Sequence, residues 1–264
     1  MSGMQGLTVY DLRALKGKRQ IVYVQVDREE EAAAAAEAGV DMIGTAFRPD
    51  RLGFSAAAQG THFQFGLAWG THANATEALR DAMAAMEAGA QSIYCAMSAQ
   101  VIEVLAREGV PVIAHAGLVP PKATWTGGYR AVGKTLNQAL DLWRQVKRYE
   151  EAGAFAIELE VIPADLATAI TKRTDLITVS LGSGAGCDAQ YLFSADLLGE
   201  KTGRLPRHAK SYRDFATVRR QMQTDRIAAY REYRADIEGG TFPNATHTVR
   251  IDPEVLAEVL AAME

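Results

Sequence analysis

One recurring phrase constrains the fold of this chain more than any other feature. Ala-rich amphipathic stretches close on "EAGV", "EAGA" or "REGV" and run straight into a short apolar segment. A glycine just past the last helical turn adopts the left-handed conformation that ends a helix at little cost. Gly39, Gly89, Gly109 and Gly153 all stand in that place. An apolar run that starts directly behind such a helix, without strict alternation, reads as a parallel strand covered on both faces. The pattern predicts strands at Ile21–Val26, Asp41–Thr45, Phe63–Ala68, Ser92–Ala96, Val110–Ala114, Ala154–Glu160 and Leu176–Gly182, with a weaker eighth at Arg207–Lys210. Helices are expected at Glu29–Ala38, Thr76–Ala88, Ala99–Arg107, Leu136–Ala152 and Ala164–Lys172. Asp27 and Ser98 stand at expected N-caps, and Pro163 suits the first turn of the helix it precedes.

Eight strands alternating with helices over about 250 residues predict a (β/α)8 barrel. A doubly wound open sheet is the alternative, but no Gly-x-Gly-x-x-Gly follows the first strand. The 264 residues are then one barrel domain, 1–264, with Thr8–Leu15 as a helix plugging the bottom. The tail from Ser211 to Gly239 reads as one or two solvated or subunit-facing helices, followed by a short helix at Pro253–Met263.

Composition narrows the class. Hydrophobic residues at 48% and charged residues at 23% are ordinary globular values. A net charge of −4 lacks the basic excess of a nucleic-acid binder. No apolar run reaches the ~18 residues that span a membrane, and the N-terminus lacks a secretory h-region. The expected setting is therefore cytoplasmic, with no nucleic-acid or membrane partner. Cys95 and Cys187 are too few for a disulfide framework and read as inert buried thiols.

A barrel carries its chemistry at the C-terminal ends of its strands. Those ends offer Asp27, Thr45 and Ala46, Gly66 with Trp69 and His72, Tyr94 with Cys95, then His115, Glu158 and Glu160, and the run Gly182-Ser183-Gly184-Ala185-Gly186. In "AIELEVIP" an acid closes an apolar strand, and Glu158 and Glu160 share a face. Desolvation at the mouth would raise such a carboxyl toward the range of a general base; the alternative is a rim carboxylate in a salt bridge. His115 in "VIAHAGLVPP" suits an oxyanion donor or a metal ligand, or else is a satisfied structural histidine. The glycine-rich run offers backbone N–H groups to an anion. No Walker A loop, H-E-x-x-H motif or nucleophile elbow is present.

Several segments together resemble the ketopantoate hydroxymethyltransferase family: "TVYDLRALKGKR", "AHAGLVPP" followed by "GGYRAVGKT", "EEAGAFAIELEVIPADLATAIT", "GSGAGCDAQYLFSADLLG" and "GGTFPNATHT". They run through nearly the whole chain in the family's order. The resemblance implies a barrel of the phosphoenolpyruvate-mutase/isocitrate-lyase type, assembled as a homo-oligomer, usually a decamer. It implies transfer of a one-carbon unit from methylenetetrahydrofolate to 3-methyl-2-oxobutanoate in pantothenate biosynthesis. It also implies Mg2+ held by two aspartates, and a glutamate that removes the proton at C3.

Carried over residue by residue, the resemblance is uneven. Glu160 stands at the general base, His115 at the histidine of the family's "GHxGLTPQ", and Asp27 at the aspartate after strand one; Gly128, Tyr129, Gly133 and Asp188 also match. Thr45 stands at the first metal aspartate, Ala46 at the substrate-binding serine and Gly66 at the second metal aspartate. Tyr94 replaces a lysine and Ala96 a glutamate, and the connection between strands two and three is trimmed. Thr and Gly cannot supply two anionic oxygens to Mg2+. The expected site thus comprises Glu160, His115 and Tyr94 as catalytic groups, with Asp27, Thr45, Ala46, Gly66 and Ser183 around a small carbonyl acid and no metal ligand.

Three functions remain open on these residues. One is an enzyme of altered substrate and metal use, with His115, Tyr94 and Arg48 or Arg51 stabilising an enolate; in it, His62, His72 and Cys95 are candidates for a softer metal site. The others are the family reaction itself and a non-catalytic paralogue.

Overall fold

The structure, a computed structural model, describes residues 6–201 and 203–263. Its strands are β1 (Ile21–Gln25), β2 (Met42–Ala46), β3 (His62–Leu67), β4 (Ser92–Cys95), β5 (Val112–Gly117), β6 (Ala156–Glu160), β7 (Ile177–Leu181) and β8 (Ala189–Phe193). All are parallel and close into a barrel in sequence order, with β8 returning to β1. The α-helices are α1 (Val9–Leu15), α2 (Glu29–Glu37), α3 (Phe54–Ala57), α4 (Ala75–Glu87), α5 (Ala99–Arg107), α6 (Ala123–Thr126), α7 (Leu136–Glu151), α8 (Ala164–Thr171), α9 (Ser194–Leu197), α10 (Phe215–Glu238) and α11 (Pro253–Ala262).

Alternation along each strand divides the core in two. Ile43, Phe63, Phe65, Ile93, Val112, Ala114, Ile157 and Leu159 face the helices. The helices come close because they present small residues: Ala78, Ala82 and Ala85 of α4 are fully buried at helical spacing. Ile21, Tyr23, Met42, Ile113, Ala156, Ile177, Val179 and Tyr191 fill the lumen. The glycines of the recurring phrase all have positive φ, from 76° at Gly39 to 97° at Gly89, as a left-handed helix end requires.

The plug forms as expected. Thr8 and Asp11 cap α1 reciprocally, and Leu12 is fully buried among the lumen residues. Behind it the Lys16 ammonium donates to the Leu176 carbonyl (2.9 Å) and the Asp188 carboxylate (2.7 Å). The second connection is trimmed, since α3 has only four residues.

Two expectations are corrected. The eighth strand is Ala189–Phe193, and Arg207–Lys210 has no strand. A parallel crossover normally needs a dozen or more residues, so the seven between Leu181 and Ala189 read as a loop leading into a helix. The chain instead turns through Gly182, Gly184 and Gly186 and pairs β8 directly. Helix α2 is capped at Arg28 rather than Asp27, and the Glu31 carboxylate accepts the Asp27 N–H; Ser98 is the N-cap of α5 as expected, without a side-chain hydrogen bond.

The chain divides into two compact units, Met1–Arg213 with the whole barrel and Asp214–Glu264 with α10 and α11. In the second, Tyr233 meets Phe242 edge-on, and Phe242 meets His247 at a tilt. Among the described residues no helix is long and apolar enough to cross a membrane.

Candidate active site

Strands β5 and β6 build the centre. Their register sets His115 opposite Glu158 and Gly117 opposite Glu160. Ala156, Glu158 and Glu160 alternate inward, so Glu158 lies one layer below Glu160, which closes the strand. The two strands meet tightly at the top. Gly117 has φ 101°, and a β-carbon there would stand 2.2 Å from the Glu160 carbonyl oxygen. Only glycine fits both constraints.

His115 is fixed by two hydrogen bonds. Its Nε2 lies 2.7 Å from the Leu118 carbonyl oxygen. A carbonyl only accepts, so Nε2 carries the proton and Nδ1 presents its lone pair. Nδ1 lies 2.9 Å from the Tyr94 hydroxyl, which is therefore the donor. The phenol ring stands edge-on to the imidazole with centroids 5.9 Å apart. Both carboxyl groups flank the ring: Glu158 Oε1 is 3.8 Å from Nδ1 and Glu160 Oε2 is 3.7 Å from Nε2.

Burial sets the protonation states. It pushes His115 down to about 4, against the pull of the Leu118 carbonyl, so the imidazole is neutral at pH 7. Burial, then the neighbouring Glu160, holds Glu158 well above the carboxyl range, so it is a neutral acid. Burial alone raises Glu160 to about 7. No lysine or arginine lies within ion-pair distance of Glu160 among the described residues, so it is not the salt-bridged rim carboxylate of the alternative reading. Tyr94 is held well above the usual phenol value by burial and then by Glu158 and Glu160.

The other expected residues do not converge on this centre. The Thr45 hydroxyl donates to the Val26 carbonyl (2.9 Å) and accepts from Arg51 (2.7 Å). Half-exposed Asp27 pairs with the same Arg51 at 3.1 Å. Ala46 and Gly66 pair across β2 and β3 and bring no functional group. Ser183 is fully buried and spent: it accepts the Ile162 N–H (2.9 Å) and donates to the Leu159 carbonyl (2.7 Å). Its hydroxyl ties the β7–β8 turn to β6, which corrects its expected contact with substrate. His62, His72 and Cys95 do not assemble. His62 bonds the Leu7 carbonyl and Ser92, His72 pairs with Asp81, and buried Cys95 lies in the helix-facing layer. Burial raises the Cys95 thiol to about 11 and also raises Cys187, in keeping with inert thiols.

Above the centre opens a cavity of about 1310 Å³, lined by Glu160 together with Trp125, Tyr129, Arg130, Lys134, Arg204 and Arg207. Lys134, Arg207 and His208 also line a neighbouring cavity of about 550 Å³, beside Tyr191 and Gly184. These cations were not singled out in the sequence. They sit in irregular loops, and only the conspicuous "GGYR" spacing pointed near them.

A profile of the ketopantoate hydroxymethyltransferase family matches residues 54–245, well over half of the chain. The chain belongs to the ketopantoate hydroxymethyltransferase family. A 3-methyl-2-oxobutanoate hydroxymethyltransferase of Chloroflexus aggregans is 40% identical over 181 residues, covering 67% of this chain and 62% of the relative. One from Clostridium novyi is 36% identical over 173 residues, covering 64% and 60%. The chain thus spans about three-fifths of the length of these relatives. The fold is that of 2,3-dimethylmalate lyase, a PEP mutase/isocitrate lyase superfamily member (TM-score 0.53, 14% identity, 97% of this chain and 96% of that one). It is also that of phosphoenolpyruvate phosphomutase from Streptomyces platensis subsp. rosaceus (TM-score 0.51, 16% identity, 97% and 96%). The family match begins at Phe54, later than the resemblance of the opening segment suggested. The equivalences of Thr45 and Ala46 therefore lie outside the matched residues, and that of Gly66 lies inside.

The family's magnesium ion does not fit the residues at its expected place. Thr45 offers one neutral oxygen that is already bonded, and Gly66 offers none. A β-carbon on Gly66 would touch Gln64 Nε2 and Tyr94 Cδ1, both at 3.4 Å, so side chains occupy the adjoining space. Among the described residues, His115, Glu158 and Glu160 alone form a group whose donor atoms lie within 4.8 Å of one another. One nitrogen and two oxygens suit a borderline cation better than Mg2+. In this arrangement Nδ1 accepts from the Tyr94 hydroxyl.

Proposed function

We propose that this chain is an enzyme of altered metal use that deprotonates the carbon beside the carbonyl of a small 2-oxo acid, or of a related carbonyl acid. The observation that carries this reading is Glu160: a carboxylate with a value near neutrality, lining a cavity and unpaired with any described lysine or arginine. Glu160 takes the proton, and the electron pair moves into a carbon–carbon double bond with charge on the carbonyl oxygen. The Tyr94 hydroxyl donates to that oxygen. A hydrogen-bond donor aimed at a developing oxyanion is a strong source of such stabilisation, once the hydroxyl has turned from His115 Nδ1. His115 holds the phenol, and its own N–H stays on Leu118, so it acts through Tyr94 rather than on the substrate.

Methylenetetrahydrofolate, when bound, supplies an electrophilic one-carbon unit. Trp125 and Tyr129 are exposed aromatic faces for a pterin or aminobenzoyl ring, and Arg130, Lys134, Arg204 and Arg207 suit its carboxylates. Homo-oligomeric assembly, implied by the family, is part of this proposal and is tested by sedimentation.

The second reading is 3-methyl-2-oxobutanoate hydroxymethyltransferase activity, favoured by the 40% identity. An assay with that oxo acid, close 2-oxo acid analogues and the folate donor, run with chelator and with added Mg2+, separates the readings. Turnover in chelator supports the altered enzyme, ketopantoate formed only with Mg2+ supports the second, and no turnover of any acid supports a non-catalytic paralogue.

A further inference from the structure

The Nδ1 lone pair of His115 has one hydrogen-bond donor on it and a carboxyl group just beyond hydrogen-bond distance. Tyr94 holds Nδ1 at 2.9 Å, while Glu158 Oε1 waits 3.8 Å from the same atom. Glu158 is buried and in register with His115. A carboxyl group in a lumen with no lysine or arginine beside it among the described residues is costly unless it is neutral, and a neutral carboxyl is a donor. Burial and Glu160 keep it so. Neither the proton abstraction at Glu160 nor the closure of the barrel uses this acid, and Val179 opposite it on β7 is apolar.

We propose that Glu158 is a reserve donor that takes over His115 Nδ1 when the Tyr94 hydroxyl turns to the substrate's carbonyl oxygen. This rests on the enolate reading above and deepens it. Tyr94 has one proton. While that proton points at Nδ1 it cannot stabilise a developing enolate, and turning it away leaves a buried nitrogen unpaired. A buried acceptor without a partner costs about 1–3 kcal/mol, which would set the phenol against its task. A rotation of the Glu158 carboxyl across the remaining gap satisfies Nδ1 and frees the phenol. No covalent bond changes in this exchange: each proton stays on its own oxygen, and only the acceptors are reassigned. Glu158 is thus a positioning residue that acts through His115.

The test reads His115 directly. The chain has five histidines, so ¹⁵N-histidine NMR resolves the Nδ1 and Nε2 shifts, with His115→Asn giving the assignment. In the resting protein the expected form is the Nε2–H tautomer with a hydrogen-bonded Nδ1. In Tyr94→Phe, Nδ1 remains hydrogen-bonded because Glu158 has taken it, and in Tyr94→Phe with Glu158→Leu it shifts to the value of a free lone pair. An Nδ1 already free in Tyr94→Phe overturns the proposal, with a single variant that removes only a hydroxyl. This readout needs no turnover, so it stands or falls apart from the enolate reading. Where turnover is measured, Glu158→Leu lowers kcat about tenfold with KM changed less than about twofold. Glu158→Gln, whose amide N–H also donates, restores most of it, and equal damage by Leu and Gln contradicts the role. Melting curves confirm folding of each variant.

Discussion

The Tyr94 hydroxyl donates to Nδ1 of His115 across 2.9 Å, and the ring that carries it packs beside Gly66. Tyr94 Cδ1 lies 3.4 Å from the place a Gly66 β-carbon would take. Tyr94→Phe keeps the ring packing and removes the donor. It is expected to lower kcat about a hundredfold, the scale of one lost oxyanion donor, with little change in melting temperature. Steady-state kinetics beside a thermal melt checks this.

Gly66→Asp tests whether the metal arrangement is recoverable. The added carboxylate meets Gln64 and Tyr94, and overpacking of this kind costs about 1–3 kcal/mol. The variant is expected to unfold at lower denaturant and to show no gain in Mg2+ affinity. Denaturant titration of the variant, with calorimetric Mg2+ titration, reads both effects.

The ionisation of Glu160 couples activity to stability. Its value in the folded chain, about 7, is above the unfolded 4.5, so the folded state holds the proton more tightly. The sign follows: stability is greatest below about pH 4.5 with respect to this group and falls as pH rises toward 7, by up to about 3 kcal/mol. His115 acts oppositely, since its depressed value costs stability as pH falls from 6.5 toward about 4. Glu160→Gln removes the first effect, so its stability gain over the parent should be near zero at pH 4.5 and largest at pH 8. The rate of the parent should rise through pH 7 as the carboxylate forms, and stopped-assay profiles and melts on the same buffers measure the two limbs.

Arg207 lines both cavities at the mouth. Arg207→Ala should raise the KM for an anionic co-substrate about five- to twentyfold, and the difference from the parent should shrink at high salt as exposed charges are screened. Unchanged KM across ionic strengths would place the co-substrate elsewhere.

The barrel was legible in the sequence because four helix ends announced themselves. A glycine followed at once by an apolar run fixes both the end of one element and the start of the next: Gly39, Gly89, Gly109 and Gly153 announce β2, β4, β5 and β6, and apolar runs alone mark β1, β3 and β7. The eighth was not legible, because the β7–β8 turn replaces a crossover helix with seven residues and "AQYLF" looks too mixed for a buried strand. At the site, Glu160, His115 and Tyr94 were legible as strand-end residues, and the structure brings these three together. Ser183 misled because a serine in a glycine-rich turn looks like an anion site, whereas two backbone groups consume its hydroxyl. The role of Glu158 was hidden, since alternation gives its face but not its protonation, which comes from burial beside Glu160.

The central claim is that Glu160 removes a carbon-bound proton without a divalent ion. The direct measurement is proton–deuterium exchange at C3 of 3-methyl-2-oxobutanoate and related 2-oxo acids in D2O, followed by NMR with chelator-treated protein and no folate donor. The account predicts exchange of at least one of these acids that survives chelation and disappears in Glu160→Gln. Exchange of none by the parent protein, or exchange that appears only when Mg2+ is added, would contradict it.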